Sequence, residues 1–248
     1  MDNIDHELWI LVHGNDCRAL AAAEDTPGFI LEYLAEDEDW VVRARLAENP
    51  NTPPAVLQKL AEDEGPGMRQ GVASNPNTPI PTLETLAEDE DPGVRQGVAR
   101  NPNTPIPTLE KLAEDEPRDV QWAVDVDWYV RGEVARNPNT PAPTLRKLAE
   151  DGDPRVRWEV AENPNTPVPT LEKLVGDEEY EVRSGVARNP NTPIPTLEKL
   201  AEDEDYEVRL GVAANPNSPI PMLETLAEDE DDDVQAAAEN ALEERHDG

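Results

Sequence analysis

The five-residue motif Asn-Pro-Asn-Thr-Pro, with at most one residue changed, occurs at 49–53, 75–79, 101–105, 137–141, 163–167, 189–193 and 215–219. With Thr as origin, and the degenerate Thr26-Pro27 included, the units start at Thr26, Thr52, Thr78, Thr104, Thr140, Thr166, Thr192 and Ser218, spaced by 26 residues with one gap of 36. A chain that repeats itself at this period cannot close a core inside one unit and must stack its units into a solenoid.

The unit reads as two short helical segments. Thr or Ser opens the first, where its hydroxyl is expected to accept a hydrogen bond from a free first-turn amide, and Pro follows where a missing N–H costs nothing. A second Pro (Pro81, Pro107, Pro143, Pro169, Pro195, Pro221) still lies in the first turn, where amides lack helical partners. Ile80, Leu83, Leu86 and Ala87 then recur at helical spacing and predict one apolar face on a helix too short to stand alone. The acidic spacer Glu88-Asp89-Glu90-Asp91-Pro92-Gly93 ends it, and Val94-Arg95-Gln96-Gly97-Val98-Ala99 buries its valines on a second segment. Gly71, Gly97, Gly185 and Gly211 suggest close approach between neighbours, although Glu133 and Glu159 fill the same column. Asn-Pro stops the unit because the residue before proline is pushed out of the helical region. The fold class is therefore all-α, a solenoid of short paired helical segments in about eight repeats. Residues 1–25 read as an N-terminal cap and degenerate half-repeat, in which Leu20-Ala21 matches Leu46-Ala47 and Leu8 to Val12 could seal the open end. Residues 26–239 form the array, Val234, Ala238 and Leu242 continue the second-half pattern with more charge, and 240–248 are a polar C-terminal tail.

Leu-x-x-Leu-Ala-x-Asp, Val-Arg-x-x-Val-Ala and Asn-Pro-x-Thr-Pro resemble the leucine-rich repeat variant (LRV) family, through Leu83, Leu86, Ala87, Asp89, Val94, Arg95, Val98, Ala99, Asn101 and Pro102 in one unit. The resemblance implies a right-handed superhelix of alternating α and 3-10 helices, with no enzymatic activity and no agreed ligand. The family's founding member also carries an N-terminal iron–sulfur module. Such a cluster takes four ligands, and the sole cysteine here is Cys17, so no cofactor is carried over.

With 55 acidic against 21 basic residues the formal charge is −34. That disfavours attraction to nucleic acid or anionic membrane, both of which reward positive surface. Arg outnumbers Lys sixteen to five, a bias that fits a salt-adapted host as well as a high-GC genome. No apolar run is long enough to cross a bilayer and no signal peptide is evident, so the expected compartment is the cytoplasm.

Two ladders recur in every unit: Arg43, Arg69, Arg95, Arg131, Arg157, Arg183, Arg209, and Asn49, Asn75, Asn101, Asn137, Asn163, Asn189, Asn215. The arginines could form an anion-binding stripe, but their fixed place beside buried valines favours pairing with carboxylates or helix-end carbonyls; the asparagines read as turn and capping residues. Acid clusters lack the spacing of a calcium loop, His6, His13 and Cys17 are too scattered for a metal centre, and no nucleophile elbow, phosphate loop or His-Glu-x-x-His is present. No catalytic, cofactor or metal residues are assigned.

The departure from regularity is a ten-residue insertion around 118–128, within the long spacing between Thr104 and Thr140. It brings Trp122, Trp128 and Tyr129; Trp158 follows in a column otherwise filled by small or polar residues and Leu, with Arg131, Arg136 and Arg155 nearby. Insertions in repeat proteins emerge on one face and often bind, and aromatics ringed by polar groups are typical anchors. Packing filler and ligand contact both stand as readings. The candidate partner-binding set is Trp122, Trp128, Tyr129, Arg131, Arg155 and Trp158, on a non-catalytic scaffold for a protein or peptide; the alternative is an acidic nucleic-acid mimic that occupies a basic groove.

Overall fold

The structure is a computed structural model that describes residues 16–115 and 128–246. The proposed end seal at 8–12 and nearly all of the insertion, Trp122 included, lie outside the described residues. Those described hold seventeen α-helices and no strand, in two compact units that divide at Val130 and Arg131.

Among the described residues of the first unit, α1 (Cys17–Ala22), the half-repeat, comes first, and its Ala21 is buried. Seven- and nine-residue helices then alternate: α2 (Gly28–Leu34), α3 (Trp40–Glu48), α4 (Pro54–Leu60), α5 (Pro66–Ser74), α6 (Ile80–Leu86), α7 (Pro92–Arg100) and α8 (Ile106–Leu112). At the division stands α9 (Tyr129–Arg136). The second unit continues with α10 (Ala142–Leu148), α11 (Pro154–Glu162), α12 (Val168–Leu174), α13 (Tyr180–Arg188), α14 (Ile194–Leu200), α15 (Tyr206–Ala214), α16 (Ile220–Leu226) and α17 (Asp232–His246).

Both segments of a repeat are α-helical, and 3-10-type bonds appear where the shorter one ends. In α6 the Ala87 amide donates to Leu83 four residues back, and the next two amides, Glu88 and Asp89, donate three residues back to Thr85 and Leu86 at 3.1 Å. The longer helices are capped by acids of the spacer: Asp91 Oδ1 accepts from the Gly93 amide at 2.8 Å, and Asp39, Asp153 and Asp205 do the same for α3, α11 and α15.

Two local expectations are corrected. The motif threonine does not cap the helix that follows, whose N-cap is the next residue, Pro. Its hydroxyl instead donates backwards, Thr78 to the Val72 carbonyl at 2.6 Å and Thr104 to Val98 at 2.5 Å. The reason is the Asn-Pro break: the amide that would reach Val98 in a continuing helix belongs to Pro102, which has no N–H. Ile80 is not core either. It is 52% exposed, because a side chain at the first helical position leans back past the start of the helix, and Thr82 is buried in its place.

The core of each repeat is Leu83, Leu86 and Ala87 from one helix with Val94, Val98 and Ala99 from the next. Successive nine-residue helices pack side by side, α5 on α7, α11 on α13 and α13 on α15. Glycine permits this approach: a Cβ on Gly97 would stand 2.9 Å from the Ala73 Cβ and 3.1 Å from the Gln70 carbonyl oxygen.

The last helix closes the array. Val234 and Ala238 are buried, as their pattern predicts, and the helix runs on through 240–246, so the segment read as a tail is mostly helical. Its Arg245 donates to the Ser218 and Pro216 carbonyls, the latter at 2.9 Å, covering acceptors that asparagines of a following repeat serve elsewhere.

Candidate functional site

Two side-chain ladders hold each unit together. Arg69 Nε and Nη2 donate to Asp89 of the next repeat at 2.6 and 2.9 Å, and its Nη1 donates to the Asp63 and Glu64 carbonyls at 2.9 Å. The same fork joins Arg95 to Asp115, Arg157 to Asp177, Arg183 to Asp203 and Arg209 to Asp229. Arg43–Asp63, at 3.5 Å, is looser. Arg209 holds the Asp229 carboxyl below the usual range through its hydrogen bond, against the opposing effect of burial. At Asp203 burial is the largest influence and favours the neutral form, yet the Arg183 hydrogen bond, the Asp205 amide and the nearby guanidinium charges together hold it low. Gln235 stands where the eighth arginine would be and donates to the Asp229 carbonyl as the arginines do to theirs. The ladder is scaffold, and Arg131, paired with Asp151 at 2.6 Å, belongs to it.

The asparagines do more than turn the chain. Asn75 Oδ1 accepts from the Asn77 amide two residues on, and its Nδ2 reaches into the preceding repeat to donate to the Ala47 and Asn49 carbonyls at 2.7 and 2.8 Å. Asn189 and Asn215 repeat this on Ala161 and Asn163, and on Ala187 and Asn189. Side chain thus hydrogen-bonds backbone from repeat to repeat through the buried core.

What the ladders leave open is the outer face of the nine-residue helices. In the first unit Gly67, Gln70, Gly71 and Ser74 of α5, with Ala47, Glu48, Asn75 and Pro76, line a shallow cleft of 350 Å³. In the second unit Pro154, Arg155 and Trp158 on α11 and Glu179 and Glu181 at the start of α13 enclose a cleft of 280 Å³. The half-buried Trp158 indole reaches toward the next repeat, its Cδ1 3.2 Å from where a Cβ on Gly185 would lie. Arg155 is held to its helix cap, Nη2 to Asp153 Oδ2 at 2.8 Å. Beneath this face Glu159 takes the position that glycine holds in other repeats. It is 3% exposed, its carboxylate is gripped by Arg136 (Nε to Oε2, 2.9 Å), and burial pushes its pKa up despite that pairing.

Of the sequence-derived set, Arg155 and Trp158 share the α11–α13 cleft, while Arg131 lies in the arginine ladder. Trp128 and Tyr129 stack on each other with ring centroids 4.6 Å apart. Glu179 and Glu181 were missed because they look like ordinary acidic spacer. The available signal was variation inside the array: the column of Glu181 also holds Gly67, Gly93, Arg155 and Glu207, and a position that changes from repeat to repeat is not scaffold. Among the described residues no helix is long and apolar enough to cross a membrane, and no group of three or more His, Cys, Asp or Glu is placed to hold a metal ion.

Paired helices that repeat every 26 residues, linked by buried polar ladders, define an α-helical tandem-repeat solenoid protein. Residues 41–100 match the Leucine Rich Repeat Variant domain, and 92–117, 128–153, 154–179, 180–205 and 206–231 each match the leucine rich repeat variant unit. The chain belongs to the leucine rich repeat variant family. A solved structure described as a leucine-rich repeat variant with a novel repetitive protein structural motif is 26% identical, with 97% of this chain and 98% of that one covered and a TM-score of 0.59. An archaeal HEAT-like repeats protein from Thermococcus onnurineus NA1 is 13% identical over 87% and 95% of the two chains, at TM-score 0.36. A designed armadillo repeat protein in complex with the peptide (KR)4 is 17% identical over 86% and 96%, at 0.32. Comparison with curated proteins gives no match.

Proposed function

We propose that this protein is a non-catalytic scaffold that binds a protein or peptide partner on the open face of the nine-residue helices in its second unit, with Trp158 as the anchor. The reading rests on the cleft of Pro154, Arg155, Trp158, Glu179 and Glu181. An indole half out of the core, set in a column where other repeats keep Ala, Gln, Gly, Ser or Leu, has no role in the ladders. Large aromatics in a concave, polar-rimmed setting are the residues on which interfaces concentrate their energy. Trp128 and Tyr129 extend the proposal toward the insertion, as a second aromatic contact. Trp158→Gln, which installs the residue found at Gln70 and Gln96, tests it in a native-lysate capture at physiological and high salt. The expected result is a partner retained at high salt by the wild type and lost by the variant. Partners that ignore Trp158 and vanish with salt would replace this reading with charge mimicry.

A further inference from the structure

The chemistry of the Trp158 cleft narrows its occupant. Its floor is indole and proline, and two carboxylates, Glu179 and Glu181, stand on one rim. No salt bridge joins either of them to a cation among the described residues, whereas Arg155 on the opposite rim is neutralised by Asp153. An anion would meet two like charges there, and an uncharged apolar group would strand the carboxylates in a drying cleft. A guanidinium or ammonium satisfies both walls, lying on the indole face while donating to the acids.

The repeat equivalents of Trp158 are Ser184 and Leu210, but aromatic rings stand one helical turn earlier on α13 and α15, at Tyr180 and Tyr206, in the column that Pro154 holds on α11. Tyr180 lies among carboxylates whose charge raises its pKa, Glu181 first and Glu207 next. Tyr206, 42% exposed, is raised chiefly by Glu207, with burial, Asp231 and Asp233 adding. Each successive nine-residue helix of the second unit thus offers an aromatic ring beside an acid. In the first unit that ring column holds Trp40 on α3, which is 67% exposed, then Pro66 and Pro92 on α5 and α7, and the position after it holds Val41, Gly67 and Gly93 in place of an acid.

Building on the scaffold reading, we infer that the partner is an extended basic segment, with one cation seated on Trp158 and further ones, one repeat apart, on Tyr180 and Tyr206. Packed helices lie about 8–10 Å apart. A polyproline helix advances about 3.1 Å per residue with three residues per turn, so every third side chain returns to the same side after about 9 Å. A cation at every third residue matches that step.

The probe is fluorescein-labelled (Arg-Pro-Pro)4, followed by anisotropy at about 150 mM salt, where exposed charges further apart than about 8 Å are largely screened. It should bind the wild type, and a block peptide of the same composition, with all its arginines first and all its prolines after them, should bind at least fivefold more weakly. Trp158→Gln should weaken (Arg-Pro-Pro)4 about tenfold or more, the factor a desolvated cation–π contact carries. Glu181→Gln/Glu207→Gln should do the same, while Glu172→Gln/Glu198→Gln, which removes equal charge from the seven-residue helices, should stay within twofold. Equal losses in both charge variants, or equal binding of the block peptide, would overturn the inference by reducing it to bulk attraction. If (Arg-Pro-Pro)4 does not bind while lysate capture still depends on Trp158, the scaffold stands and the basic occupant falls; if neither is seen, both fall.

Discussion

In the first unit the nine-residue helices present Val41 and Ala44, then Gly67 and Gln70, then Gly93 and Gln96; in the second the same two positions carry Arg155 and Trp158, Glu181 and Ser184, then Glu207 and Leu210. Behind those faces the construction is unchanged. Asn75 and Asn189 reach the preceding repeat through the same two carbonyls, and Arg69 and Arg209 fork onto an aspartate twenty residues on. Repetition fixes what every unit needs to stack, and only positions outside that requirement are free to differ. The difference between the two faces is therefore where recognition can be written without loss of fold.

The comparison can be broken at the scaffold, where variants of the two units should behave alike. Arg69→Ala and Arg209→Ala each take the guanidinium from a partly buried aspartate and a side-chain donor from two carbonyls. Each should cost about 3–5 kcal/mol in urea unfolding; a loss in one unit alone would show that the ladder is not a common element. Asn75→Ala and Asn189→Ala remove two donors and one acceptor from buried backbone groups and should each cost about 2–4 kcal/mol. Gly97→Ala and Gly211→Ala push a methyl to 2.9 Å from Ala73 and Ala187 respectively, an overpacking expected to cost about 1–3 kcal/mol. Thermal midpoints would show it, and a rise in midpoint would mean that neighbouring helices can move apart freely.

A subtler contrast lies in pH. The carboxyls of Asp89 and Asp229, one in each unit, are held low in the folded state. At Asp89 burial opposes that outcome and the Arg69 hydrogen bond leads the groups that outweigh it. Their contribution is present above the unfolded value of about 3.9 and is lost as pH falls through the folded one. Glu159, in the second unit, has the opposite sign. Its raised pKa contributes stability that is complete below the unfolded value of about 4.3 and is lost as pH rises through the folded one. Mild acidification should thus favour the wild type before the aspartate ladders fail. Glu159→Gln should lose that initial gain in a pH series of urea midpoints, and an unchanged profile would remove the buried charge from the account.

Much of this was legible in the chain. Period fixed the paired helices, and the fixed place of the arginines beside buried valines pointed to carboxylates or helix-end carbonyls as their partners. The role of the threonine was not, because capping the next helix and serving the Val98 carbonyl, whose fourth-residue donor is lost at Pro102, call for the same residue at the same place. Nor was the asparagine ladder: a turn residue and an inter-repeat donor look identical in one dimension, and only the stacked geometry brings the Ala47 carbonyl to Asn75. For the site, Trp158 stood out by breaking its column and Arg155 by its positive charge near the insertion, whereas Glu179 and Glu181 were hidden by the general acidity of a chain of net charge −34.

The separation of face from scaffold is tested most directly by urea unfolding of Trp158→Gln. If Trp158 serves a ligand, the variant should retain the wild-type stability to within about 1 kcal/mol, as substitutions outside the core do. A loss on the scale of the asparagine variants, about 2 kcal/mol or more, would contradict this and make Trp158 a packing element of the solenoid.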